Sequence, residues 1–234
     1  MTTNFLEYGI KEGYLYETLA TTFSKNKEEI IPNTSCMGIR IKDKETISII
    51  PYPNTTTYKN LKETGLICIN FVENVYLYAL AALKGYFLSE ELRIFPNKYY
   101  DYYNLKRENK PYTRKFPFIK QAWLIIVCEL INELHFIKKD EFGEVKLSEF
   151  MLRRLVSYKL KESYKFFNRA ENLTLETIIL TTRLKTAFET KKEFLITKYQ
   201  KRIEETIKTI KRFGKNQDAL KSVELIENYI QNLR

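Results

Sequence analysis

Histidine is nearly missing from this chain: His135 is the single one in 234 residues. Cysteine is scarce as well, and Cys36, Cys68 and Cys128 stand far apart with no CxxC pair. A structural zinc site needs about four nitrogen or sulfur ligands, so zinc chemistry is not expected, and an odd thiol count speaks against a disulfide framework. No GxGxxG fingerprint is present, nor any spacing that announces a catalytic triad. The longest apolar run, AWLIIVCELI at 122–131, is far short of the roughly 20 residues of a membrane-spanning helix. The opening MTTNFLEYG has no apolar core of a secretory signal, so we expect a soluble protein of the cytoplasm with reduced thiols.

What is present is an ordinary globular composition with an unusual aromatic content. Hydrophobic residues make up 44% and aromatics 14%, enough to fill a core. The net charge is +10, which suits an acidic partner such as nucleic acid, a membrane surface or a phosphorylated ligand. The excess is concentrated at 98–120 and 185–215. A solvated surface is the plainer account of both runs.

The first half reads as β structure. LYETLATT (15–22), TSCMGIRI (34–41), TISIIPY (46–52) and LICINF (66–71) are short, β-branched and aromatic, with polar or turn-forming pieces between them. AWLIIVCELINELHFI (122–137) continues the pattern as one long strand or a broken pair. Two short helices interrupt it: Thr57 to Thr64, stopped by Gly65, and 73–85, with Asn74 as N-cap and Gly85 as stop. The segment 86–120, rich in Tyr and Lys, reads as irregular. From Ser148 onward proline disappears and glycine occurs once, at Gly214. Helices are expected at 148–170, 172–188, 190–213 and 217–232, the last capped by Asn216 or Asp218. The expectation is therefore an α+β chain: a β domain over 1–146 and a helical module over 147–234.

PYPNTTTYKNLKETG (51–65) places three threonines where a strand hands over to a helix N-terminus. Such a corner presents unpaired N–H groups and the positive end of the helix dipole, and added hydroxyls suit a phosphate. On these residues alone, one capping threonine with two loop neighbours is an equally available account.

Read together, NTSCMG (33–38), NTTTYKNLKETG (54–65) and ICINF (67–71) resemble the flavin-reductase-like, FMN-binding split-barrel family. In particular the chain looks like the mainly archaeal split-barrel proteins of unassigned function that carry a helical C-terminal region. NRAENLTLETIILTTRL (168–184), YETLATT (16–22) and Ala122-Trp123 fit the same pattern, over about residues 10–190. The resemblance implies a six-stranded antiparallel split barrel that forms a homodimer, binds FMN near the dimer interface and acts as a flavin-dependent oxidoreductase. It places Asn33, Thr34, Ser35, Cys36 and Met37 along the flavin ring and Thr55, Thr56, Thr57 and Asn60 around the phosphate. Asn70 and Phe71 would close the site from the neighbouring strand. A nicotinamide or another small electron donor is the implied partner. Two departures stand out: Cys36 occupies a position where relatives often have proline, and PYPNTTTY has no basic residue. Lys59, Lys62 or a partner subunit would then have to supply the charge that a phosphate favours.

Other constellations have competing readings. His135, in ELHFI, reads as a structural residue sooner than as a base. Asn168, Arg169 and Arg183, with Glu176 between the arginines, are either a salt-bridge ladder or a rim that meets an anionic substrate group. The Tyr/Lys-rich stretch 98–115 would suit single-stranded nucleic acid, or simply cover the barrel. A non-enzymatic nucleic-acid-binding protein, and a split barrel that has lost its flavin, are the alternative functions. The helix 188–214 carries an apolar stripe of Phe194, Ile196, Tyr199, Ile203, Ile207, Ile210 and Phe213.

Overall fold

The structure, a computed structural model, describes residues 5–26, 29–85, 89–106, 113–163, 168–213 and 215–233. The chain forms two compact units. One comprises Met1–Val72 and Asn97–Ser163, the other Glu73–Pro96 and Tyr164–Arg234.

In the first unit, β1 (Leu15–Asn26), β2 (Glu29–Ile41), β3 (Thr46–Ile49), β4 (Leu66–Val72), β7 (Ala122–Asp140) and β8 (Gly143–Lys159) close into a barrel in the order β1-β2-β3-β8-β7-β4. Every pairing is antiparallel. Alternate residues point inward, so Ile39 and Ile41, Ile67 and Ile69, Leu124 and Ile126, and Phe150 and Leu152 share one core. Phe5 and Ile10, from the N-terminal segment, join that core. The sequence of β7 predicts its two halves: the apolar run up to Cys128 is buried, whereas beyond it most residues are exposed. Beyond Leu130 the strand pairs only with β8 among the described residues, forming a long two-stranded arm that turns just before Gly143. Gly143 has φ +122°, which an L side chain rarely adopts.

Helix α1 (Thr56–Thr64) lies between β3 and β4 in sequence. Thr55 caps it, its side chain accepting from the Tyr58 N–H, and Gly65 ends it at φ 67°. The Gly65 stop is as the sequence predicts, and the helix begins one residue earlier than the expected Thr57. The 86–120 segment is more regular than expected, because β5 (Tyr100–Lys106) and β6 (Thr113–Ile119) form an antiparallel hairpin. Residues 86–88 and 107–112, which belong to that segment, lie outside the described residues. Phe23 of β1 meets Phe116 of β6 edge to face at 5.1 Å, holding the hairpin on the barrel wall.

The second unit contains α2 (Val75–Leu83), α3 (Arg169–Glu189), α4 (Glu193–Arg212) and α5 (Gln217–Gln231). Asn74, Asn168 and Asn216 cap α2, α3 and α5 with their side chains. Seven of the nine residues of α2 are buried, and it packs against α3 and α5. On α3, Thr174, Thr177 and Thr181 are buried and bond carbonyls four residues back at 2.7–2.8 Å, leaving a smooth face for close packing. The α4 stripe differs from expectation at both ends, and Phe213 is 38% exposed. Leu195 is buried in place of Phe194, which is 78% exposed.

Two expectations are corrected. Residues 148–159 are strand, not the start of a helix, because β8 bridges β3 and β7 and the barrel cannot close without it. Unbranched residues of good helix propensity there yield to cross-strand pairing and burial. The division of the chain moves accordingly. Residues 147–163 belong with the barrel and 73–96 with the helices, so a single boundary at 146/147 does not hold.

Candidate functional site

The barrel strands are not paired along their whole lengths, and β2 is one that keeps an open edge among the described residues. Strand β2 pairs with β1 along its whole length, but with β3 only at Arg40 and Ile41. From Asn33 to Ile39 its outer edge has no strand partner among the described residues. In an antiparallel pair every second residue directs its N–H and C=O away from its partner strand. This stretch therefore presents main-chain donors and acceptors without side-chain bulk.

The N-terminus of α1 stands against that edge. Thr57 is buried, and its Oγ1 lies 2.8 Å from Ser35 Oγ and accepts from Asn33 Nδ2 at 3.2 Å. One turn later the Asn60 amide donates to Thr22 Oγ1 of β1 at 3.2 Å. The N–H groups of Thr56 and Thr57 open the helix and have no acceptor within it. Thr56 is exposed, and the first turn contains no carboxylate. That combination suits an anion.

The anticipated ligand set thus divides. Asn33, Ser35, Thr55, Thr56, Thr57 and Asn60 gather at the β2–α1 corner, with Cys36 half-buried and Met37 packed partly into the core on the same strand. Thr18 Oγ1 donates to the Met37 carbonyl at 2.9 Å. Thr34, Asn70 and Phe71 do not join them. Thr34 is fully buried, its hydroxyl 2.9 Å from that of Thr21. Asn70 is also fully buried; its amide nitrogen donates to Leu19 O, Cys68 O and Thr21 Oγ1, and its oxygen accepts from Ile119 N. Phe71 belongs to the core, beside Tyr16 and Trp123. The side chains of these three are engaged within the fold: Thr34 faces away from Asn33 and Ser35 because alternate residues of a strand face opposite ways, and Asn70 and Phe71 are both enclosed because β4 is buried on both faces.

Lys62 does not serve the corner either. Its Nζ binds Glu133 Oε2 on β7 at 2.5 Å, and Tyr58 Oη donates to Glu133 Oε1 at 3.0 Å. This cluster was not legible in the sequence, because 71–75 residues separate its members. An open groove of about 430 Å³ adjoins it, lined by Pro53, Tyr58, His135, Phe136, Lys146 and Ser148 among others. His135 Nδ1 is 3.0 Å from Ser148 Oγ.

Burial alone would raise the Glu133 carboxyl, but hydrogen bonds from Lys62, Ser148 and Tyr58, with the Lys62 charge, outweigh it and hold the group below the ordinary 4.5. A depressed carboxyl stabilises the fold above its unfolded value, and that contribution disappears as pH falls through the folded one. Glu133→Gln is therefore expected to destabilise the barrel at pH 7 and to match the wild type more closely at pH 3. Urea unfolding at the two pH values measures this. An equal deficit at both would mean that charge pairing is not the cause.

In the helical unit, Asn168 and Arg169 line a pocket of about 450 Å³ with Ala170, Phe213, Lys215 and Asn216. The Arg169 guanidinium lies 5.3 Å from the Phe213 ring. Arg183 is fourteen residues further along α3, roughly 21 Å at helical rise, so the two arginines do not converge. Glu176 reaches Arg202 of α4 at 3.5 Å, and the pair is interhelical where a ladder along α3 was one expectation.

A closed six-stranded antiparallel barrel, accompanied by a helical region, defines a split-barrel protein of the α+β class. The family model for the N-terminal domain of DUF447, a protein of unknown function, matches residues 16–154. The chain belongs to that family. Its fold matches the crystal structure of an FMN-bound DUF447 protein from Methanosarcina mazei at a TM-score of 0.65 and 21% identity, over 96% of this chain and 99% of the other. Weaker likenesses extend to a flavoredoxin from Methanosarcina acetivorans (TM-score 0.43, 15% identity, 65% of this chain, 72% of the other). They also include the styrene monooxygenase flavin reductase from Pseudomonas putida S12 (TM-score 0.37, 9% identity, 62% of this chain, 82% of the other). Among the described residues no helix is long and apolar enough to cross a membrane, and no group of His, Cys, Asp or Glu could hold a metal ion.

Proposed function

We propose that this chain binds FMN at the β2–α1 corner and works as a flavin-dependent oxidoreductase. The observation that carries the reading is the junction itself: a stretch of β2 from Asn33 to Ile39 that does not pair with β3, joined through the Asn33 and Ser35 side chains to a helix N-terminus that lacks any acidic residue in its first turn. The residues present fit the cofactor. The N–H groups of Thr56 and Thr57 and the exposed Thr56 side chain would hold the phosphate, with Thr55 capping the helix. The β2 main chain between Asn33 and Met37 would meet the polar edge of the ring. Lys59, exposed on α1, is the nearest cation in sequence not paired with Glu133. Bound flavin would supply hydride and electron transfer, leaving the protein to bind, orient and shield it. Cys36, with its half-buried thiol, would border the ring and help to exclude water.

A homodimer with the flavin near its interface accords with the arm of β7 and β8. Ile131, Leu134, Phe136 and Ile137 are 37–62% exposed there, on the two faces of the arm, apolar area that a second copy would help to cover. A nicotinamide or another small reductant is the proposed electron donor.

Titration of the purified chain with FMN and riboflavin, followed by flavin fluorescence, tests this. Thr56→Ala is expected to weaken FMN roughly tenfold, the worth of one charge-assisted hydrogen bond, and to leave riboflavin unchanged. A wild-type chain that takes up no FMN overturns the proposal. Equal weakening of both ligands removes the phosphate from this corner.

A further inference from the structure

Resting on the FMN reading, we infer that the Thr57 hydroxyl is a positioning group and not a phosphate ligand: it fastens the helix N-terminus to β2, so that the phosphate-binding and ring-binding halves of the site keep a fixed spacing. Thr57 is 2% exposed, whereas its neighbour Thr56 faces solvent. Its oxygen already has two partners, Ser35 Oγ at 2.8 Å and Asn33 Nδ2 at 3.2 Å. A hydroxyl has one proton and two lone pairs; with Asn33 on one lone pair and the proton given to Ser35, no donor is left for a phosphate oxygen, and at 2% exposure the group has little access to one.

The same device recurs three residues on. Asn60 is 4% exposed and its amide binds Thr22 of β1 at 3.2 Å. Residues at i and i+3 share a helix face, so Thr57 and Asn60 form one polar stripe docked on the β1–β2 pair. An apolar stripe would bury comparable surface but would tolerate sliding. Hydrogen bonds lose strength steeply with distance and angle, and therefore fix the register of the helix along the strands. The three threonines of the loop then have three tasks. Thr55 caps the helix, Thr56 meets the anion, and Thr57 locks the helix to the sheet.

A double-mutant cycle separates a lock from a ligand. FMN and riboflavin affinities are measured by fluorescence quenching for the wild type, Thr57→Val, Ser35→Ala and the double variant, with Thr57→Ser as the conservative control. Thr57→Val is expected to weaken FMN roughly tenfold, since it removes both bonds. Riboflavin, which engages only the ring half, should lose less. Ser35→Ala should weaken FMN less than Thr57→Val and add nothing in its background, and Thr57→Ser should restore wild-type affinity. Additive losses, or a silent Ser35→Ala beside a damaging Thr57→Val, would make Thr57 a direct ligand and overturn the inference. Should Thr57→Val fail to fold, Ser35→Ala and Asn33→Ala carry the test: both should weaken FMN more than riboflavin, and no change in either overturns it. If wild type itself takes no FMN, the functional reading fails first, which the control titration shows before any variant is compared.

Discussion

Asn70→Ala should destabilise the barrel by about 3–5 kcal/mol, since each buried polar group left without a partner costs about 1–3 kcal/mol. The Asn70 side chain is fully buried at the meeting of three strands. Its amide nitrogen serves Leu19 O at 2.8 Å, Cys68 O at 3.0 Å and Thr21 Oγ1 at 3.1 Å, while its oxygen receives the Ile119 N–H at 2.8 Å. Alanine leaves the Ile119 N–H enclosed without its acceptor and takes a donor from Leu19 O, Cys68 O and Thr21 Oγ1, the last of which keeps Thr34. The loss is a large part of the roughly 5–15 kcal/mol that holds a domain folded. Asn70→Asp tests the same point differently, because it keeps the acceptor for Ile119 but turns a second oxygen toward two carbonyls. It should be at least as damaging at neutral pH and partly recover when the carboxyl is protonated. Trp123, the single tryptophan, packs 5.6 Å from Phe71 and reports the barrel core during urea unfolding. A loss below about 1 kcal/mol for Asn70→Ala, within the range of an ordinary surface change, would refute this bonding scheme.

Asn70 also marks the limit of what the sequence made legible. Strand character is written in alternation and β-branching, so β1, β2, β4 and most of β7 were readable, as were α1 with its Gly65 stop and the asparagine caps of α2 and α5. Assignment to one face of the sheet was harder. Thr21 and Thr22 are adjacent, yet Thr21 binds Asn70 and Thr34 while Thr22 binds Asn60. Treating NTSCM as one surface merged residues that the pleat separates: Asn33 and Ser35 turn to α1, and Thr34 turns away. β8 was misread because its Leu, Arg, Met and Lys residues carry little local preference for strand, and only its pairing with β3 and β7 decides the matter. Glu133, Tyr58 and Lys62 meet through tertiary structure alone, which no spacing rule would reveal.

The second large effect is expected at Phe150, whose truncation should couple fold stability to the proposed flavin site. Phe150 is fully buried on β8, in register with Ile49 of β3 and Glu133 of β7. Its ring centre is 5.2 Å from that of Tyr58 on α1, and the Tyr58 hydroxyl in turn donates to Glu133. Phe150→Ala leaves a cavity beneath α1 and should cost about 3–5 kcal/mol. The helix then loses the aromatic support of its first turn, the turn whose N–H groups face the proposed phosphate. Leu152 supplies the comparison, since it is equally buried on the same strand and pairs with Ile47, away from Tyr58 in register. Leu152→Ala should cost about 2–5 kcal/mol by the same cavity argument. The two variants are therefore expected to lose comparable stability but to differ in ligand affinity. At a temperature where both remain folded, Phe150→Ala should bind FMN several-fold more weakly than Leu152→Ala, with riboflavin affected less. Equal FMN affinities in the two variants would show that the α1 N-terminus keeps its place without Phe150. Support for the corner would then come from the Thr57 and Asn60 bonds alone.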